Sequence, residues 1–153
     1  MQEQARFQSE PETRDFLLKR ALERLRAAMW EGRYAILEHA QCHARAEGFA
    51  ERDVIWVLQT GRVRAIYPEE DRWLVGGEFA VAGLRLPLHV VVDFDIQDGW
   101  IDVVTAFIPK QPYQIVSRGR LALMLRHDQS DLRAKLVGPG RRRRRWHSLR
   151  GRA

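Results

Sequence analysis

The sequence predicts an α+β fold: N-terminal helices, then an antiparallel β-sheet, then a basic C-terminal tail. Three observations predict it. Apolar residues recur at three- and four-residue spacing before residue 60, the signature of amphipathic helices. From about 62 to 108 the pattern changes to short β-branched and aromatic runs separated by turn residues. The helices precede the strands instead of alternating with them, which argues against a parallel α/β sheet. The chain divides into an N-terminal amphipathic helix (1–32), an α+β body (33–137) and an arginine-rich tail (138–153).

Ser9 and Glu12 form an S-x-x-E capping box with Pro11 in the first turn, so a helix is expected to start there. Phe16, Leu18, Leu22, Leu25 and Met29 then mark one face, and Gly32 is a natural C-cap. Such a helix packs on the core or serves a partner, and the first is the simpler reading. Tyr34 to Leu37 reads as an edge strand or as the turn into the next helix. HAQCHARAE is a short helix ended by Gly48, and Glu51 to Leu58 a second one that stops before Thr60-Gly61. VRAIYP and RWLVGG, separated by EED, form a hairpin. Pro87 to Ile96 and Trp100 to Ile108 form another, joined at Gln97-Asp98-Gly99 with Asp-Gly as the turn signal. Residues 118–128 read as a last short helix.

A two-residue Asp98-Gly99 turn would pair Ile96 with Ile101, Phe94 with Val103, Val92 with Thr105 and Val90 with Phe107. That face is apolar and belongs in the core. The opposite face carries His89, Val91, Asp93 and Asp95 beside Asp102, Val104 and Ala106, so His89 is expected on a mixed, partly covered surface.

Composition narrows the function classes. With 153 residues, 45% hydrophobic and 30% charged, the chain can bury a real core. Its longest strongly apolar run, LHVVVDF, falls far short of the roughly 20 residues of a membrane span. No signal-peptide core is visible in MQEQARFQSEPE, so the expected location is cytoplasmic. A single cysteine, Cys42, leaves no disulfide framework and no cysteine zinc site. The net charge of +6 lies in the tail: seven arginines and no acid follow Val137, leaving 19 basic against 20 acidic side chains in the rest. Arginine outnumbers lysine 23 to 3, which suits phosphate binding but also follows from a GC-rich genome.

His39 and His43 project from one side of their helix, as neighbours at i and i+4 must. Zinc proteases use this spacing, but with a glutamate directly after the first histidine, and here Ala40 stands there. Glu47 is too far along the same helix to converge with both on one ion, so no metal site is expected. No cofactor is expected either, because VGGEF and VAGL lack the strand–turn–helix setting of a phosphate loop. His89, at a sheet margin, is either an acid–base residue or simply a hydrogen-bonded one.

The ordered set L-E-H-A (37–40), E-R-D-V-I-W-V-L-Q-T-G (51–61), I-Y-P (66–68), W-L-V-G-G (73–77), L-P-L-H-V-V-V (86–92) and V-V-T-A-F-I-P (103–109) resembles domain-of-unknown-function family 4258. The resemblance covers about residues 34–109. It implies a RelE-type or barnase-like fold and a metal-independent endoribonuclease of toxin type, or a degenerate relative, often held by an antitoxin. The family pattern marks positions that fall here on His39, His89 and Thr105. This chain departs from it with His43 and Glu47 where arginines are usual, and with Phe107 where a tyrosine is usual. The hairpin register above also puts Thr105 on the face opposite His89, so either a bulge intervenes or Thr105 is structural. The structural role is the favoured one.

Metal-independent RNA cleavage needs a base, an acid and cations around the phosphorane. His39 and His89 are the candidate acid–base residues, with His43 replacing a missing arginine. Arg64, Tyr67 and Lys110 are the candidate phosphate contacts. In the tail, Arg141, Arg142, Arg143, Arg144 and Arg145 followed by Trp146 are suited to bind RNA through counterion release and stacking. The alternatives are a non-catalytic RNA- or ribosome-binding protein, or a partner-binding component of a toxin–antitoxin or mobile-element system.

Overall fold

The computed structural model describes residues 10–125. The tail candidates Arg141 to Arg145 and Trp146, and the boundary at 137/138, lie outside the described residues. Helix α1 (Asp15–Glu31) leads to strand β1 (Tyr34–Ile36), helices α2 (Glu38–Glu47) and α3 (Glu51–Thr60), and strand β2 (Arg62–Tyr67). A 3-10 turn (Pro68–Glu70) precedes β3 (Arg72–Val81), β4 (Leu84–Asp95) and β5 (Trp100–Phe107). A final helix, α4, runs over 118–125.

The fold is α+β, as the sequence predicts, but the sheet is mixed rather than antiparallel. Its order is β1-β5-β4-β3-β2, and β1 runs parallel to β5. Tyr34 to Ile36 is thus an edge strand, three residues long, and α2 takes over where it ends. Leu37 N–H donates to the Val103 carbonyl, and Ile108 N–H to the Glu47 carboxylate, so α2 is tied at both ends along the second half of β5.

Helix α1 starts later than the capping box suggests, at Asp15. Glu12 makes both backbone hydrogen bonds to Ile66 and so closes part of the open edge of β2, while its carboxylate turns to Arg14. An unpaired strand edge outcompetes a helix cap for the same residue. Further on, Ala21, Leu25, Ala28 and Met29 pack with Val54, Val57 and Leu58 of α3 onto Val63, Val75, Val90, Val92 and Val103. Gly32, at φ 71°, ends α1, and Gly48, at φ 86°, ends α2. Arg26 reaches the Leu58 and Gly61 carbonyls at 2.7 and 2.5 Å, satisfying acceptors that the end of α3 leaves open.

Gly61 and Gly77 serve packing between α3 and β3. A Cβ on Gly61 would stand 2.6 Å from the carbonyl oxygens of Gly76 and Val57, and one on Gly77 would meet Val57 at 3.1 Å. Strands β3 and β4 are longer than expected, because an Ala82-Gly83 turn with both φ positive joins them tightly. The β4–β5 register also differs from expectation by two residues. Asp95 pairs with Trp100 and Phe94 with Ile101, leaving a four-residue turn. Asp95 accepts from Gln97 N–H and Asp98 from Trp100 N–H, so two aspartate side chains stabilise the wider loop.

A second apolar cluster covers the other sheet face. Ala65, Tyr67, Leu74, Val91 and Val104 lie beneath Leu121 and Leu125 of α4, with Ile115 and Val116 beside them. Tyr67 is fully buried and its hydroxyl donates to the Val116 carbonyl at 2.6 Å, while Arg118 pairs with Glu69 and Glu70. The C-terminal segment therefore closes a face expected to be only partly covered.

Candidate functional site

Two bulges build a polar corner on this second face. In β2 the register shifts between Val63 and Ala65, so Arg64 is the extra residue. In β5 it shifts opposite Val91 and Val92: Val91 pairs with Thr105, Val92 with Val103, and Val104 is extra. Each bulge turns the chain by one side-chain position. The second one reverses the face expected for Thr105, which now shares the face of His89 and Val91.

Gly76 stands between Arg64 and His89. It is directly opposite His89 in the register, and the place of its missing Cβ lies 3.0 Å from Arg64 Cγ and 3.5 Å from His89 Cδ2. A methyl group there would touch His89 normally and push the Arg64 stem aside by a few tenths of an ångström. Arg64 is half-buried and makes no ion pair or hydrogen bond among the described residues, so its charge is available to an anion. Arg62, also opposite Gly76, is an exposed cation in the same cross-strand row, and sequence reasoning missed it.

His89 is 3% exposed. Its Nε2 lies 3.2 Å from the Pro112 carbonyl, and its ring meets Phe107 edge-on at 5.5 Å between centroids. A carbonyl can only accept, so Nε2 carries the proton and Nδ1 keeps a lone pair. Burial pushes the imidazole below its ordinary pKa; the Pro112 bond opposes this and the Arg64 charge adds to it. His89 is accordingly a neutral base, poised beside a cation.

The remaining candidates fall in different surroundings. His39 is buried and His43 half-buried, with ring centroids 5.0 Å apart. Helix α2 packs against β5 with Ala40 and Ala44 in the first-face core, and β4 lies on the other side of β5, so β5 stands between the element that carries the histidine pair and the one that carries His89. Glu47 is held by the Ile108 N–H. Lys110 is exposed in the segment between β5 and Pro112, on the chain that crosses His89. Tyr67 is engaged elsewhere: its hydroxyl anchors Val116, and burial followed by the Glu70 charge pushes its pKa far up.

The opposite end of the same face is acidic. Glu70, Asp71, Asp93, Asp95 and Asp102 line a shallow cleft there, and Arg72 forks onto Asp93 at 2.6 and 3.2 Å. A polyanion would be repelled from this end and drawn to the Arg64 end. Among the described residues, no three His, Cys, Asp or Glu side chains are grouped as metal ligands, and no helix is long and apolar enough to cross a membrane.

Sequence alternation gave no sign of the bulges. The available signals were the conflict over the face of Thr105, for which a bulge was one of two alternatives, and glycine inside a strand, which often marks a bulge or a close approach. No family model, curated protein or solved structure matches this chain significantly.

Proposed function

We propose that this chain is a metal-independent endoribonuclease of toxin type. The observation that supports it most is the juxtaposition of an uncommitted Arg64 with a neutral His89 across Gly76. In this mechanism His89 Nδ1 takes the proton of a ribose 2′-hydroxyl, whose oxygen attacks the adjacent phosphorus. The 5′-oxygen leaves with a proton from a general acid, for which His39 and His43 are the candidates, giving a 2′,3′-cyclic phosphate and a free 5′-hydroxyl. Arg64, with Lys110, stabilises charge on the phosphorane. Access to His89 requires the segment around Pro112 to lift, and one hydrogen bond holds that carbonyl to the ring. The arginine-rich tail supplies general affinity for RNA, and an antitoxin is the proposed protein partner.

A second reading is a non-catalytic RNA-binding protein with the same fold. The burial of His89 under Pro112 favours it. Incubating the full chain with total RNA in excess chelator separates the two: cleavage supports the first reading, and salt-dependent binding without cleavage supports the second. Deleting residues 138–153 should remove most of the affinity and flatten the slope against log salt by about 0.7 to 0.9 for each phosphate that the shortened chain no longer neutralises. Unchanged affinity and slope would show that the tail is not the binding element.

A further inference from the structure

We propose that Thr105 is a positioning residue for His89, acting through one buried water held between the Thr105 hydroxyl and His89 Nδ1. This role follows from the geometry of the Arg64–His89 corner and does not depend on any reaction there.

Regular alternation would send Thr105 to the helix-covered face along with Val103. The bulge at Val104 sends it to the other face, where it is 0% exposed and pairs with Val91, two residues from His89 on the same strand. Thr105 and His89 are therefore diagonal cross-strand neighbours, with Cβ atoms within roughly 7–8 Å of each other. Neither Thr105 Oγ1 nor His89 Nδ1 has a hydrogen-bond partner among the described residues. Leaving both buried and unsatisfied would cost stability twice over. A single water, with hydrogen bonds of about 2.8 Å to each, spans such a diagonal gap and satisfies both.

The roles of the two groups agree with this. The Pro112 bond leaves Nδ1 as an acceptor, so the water donates to it, and the threonine hydroxyl, free to rotate, donates or accepts as the water requires. On the ribonuclease reading, a substrate hydroxyl takes the place of this water. Its proton then points at Nδ1 and its oxygen is held by Thr105. The charged group acting on His89 is Arg64, which reaches it from β2 across β3, on the side of β4 away from Thr105.

The test uses the full chain with Thr105→Val, which keeps the shape and removes the hydroxyl, and Thr105→Ser, which keeps the hydroxyl. Thermal midpoints and the titration of His89 by NMR are the readouts. Protonated His89 donates to the water a charge-assisted bond, stronger than the bond the neutral ring receives. Thr105→Val should therefore lower the His89 titration midpoint further and reduce the thermal midpoint by several degrees, and Thr105→Ser should restore both. If Thr105→Val is neutral or stabilising, or if it destabilises without moving the titration, the water-mediated role is overturned. A second arm keeps the proposal testable should Thr105→Val fail to fold. In the unaltered chain, a long-lived water should give an NMR cross-peak to the His89 ring proton beside Nδ1, and its absence would overturn the proposal. Neither readout involves RNA, so a failure of the ribonuclease reading would leave both results standing.

Discussion

The two faces of the sheet are covered by different means. The first receives α1 and α3 and is apolar throughout, from Val63 across Val75 and Val90 to Val103. The second is apolar only at its centre, under Leu121 and Leu125, and is polar at both ends: acidic around Asp93 and Asp102, basic around Arg64 and His89. One face supplies stability. The other gives up part of that contribution in order to hold a buried histidine, a buried threonine and an uncommitted arginine. Polar groups retained in a buried place at such a cost mark a functional corner more reliably than exposed charges do.

Leu25→Ala, in the first face, should have the largest effect on folding. Leu25 is 0% exposed among α1, α3 and sheet side chains, and truncation there costs about 2–5 kcal/mol. Chemical denaturation would show it; a cost below about 1 kcal/mol would mean that α1 is only loosely applied to the sheet.

The two central glycines sharpen the contrast between the faces. Gly61→Ala drives a methyl group against two backbone oxygens at 2.6 Å, which cannot yield, and should cost about 1–3 kcal/mol or more. Gly76→Ala instead meets the flexible stem of Arg64 at 3.0 Å. It should cost less than Gly61→Ala yet reduce RNA cleavage or binding more, because it displaces the Arg64 stem beside His89. Equal losses of stability and function in both variants would erase the distinction between faces.

The smallest effect is the dependence of stability on pH. His89 has a folded pKa below its unfolded value of about 6.5. In that interval the unfolded chain binds the additional proton, so the stability His89 contributes is complete above about pH 6.5 and is lost as the pH falls through the lower, folded value. Midpoints measured between pH 7.5 and pH 5 should fall for the unaltered chain and fall less for His89→Phe. Parallel curves would mean that the ring is solvated.

Much of the first face was legible in the sequence, and little of the second. The apolar stripe of α1, Gly48 at the end of α2 and the strands on either side of Glu69-Glu70 all follow from periodicity and turn chemistry. The Asp98-Gly99 signal located the β4–β5 turn but not its width, because Asp95 and Asp98 both bond backbone N–H groups and so favour the wider loop. Alternation alone hides the bulges at Arg64 and Val104, since V-R-A and V-V-T read equally well as regular strands; only the conflict over the face of Thr105 raised a bulge as one of two alternatives, and not the favoured one. One consequence is that Thr105, placed by alternation on the far face from His89, lies on the same face. The cover over His89 was hidden for a related reason: Pro112 acts through its carbonyl, and every residue has one.

The proposed cleavage of RNA at the Arg64–His89 corner is tested most directly by the chemical identity of the product. A short single-stranded RNA is incubated with the full chain in excess chelator and followed by phosphorus NMR, with His89→Gln in parallel and the thermal midpoints of both proteins measured. A 2′,3′-cyclic phosphate is expected with the unaltered chain and none with a folded His89→Gln variant. Intact RNA with the unaltered chain, or the same cyclic product from His89→Gln at an equal rate, would contradict it.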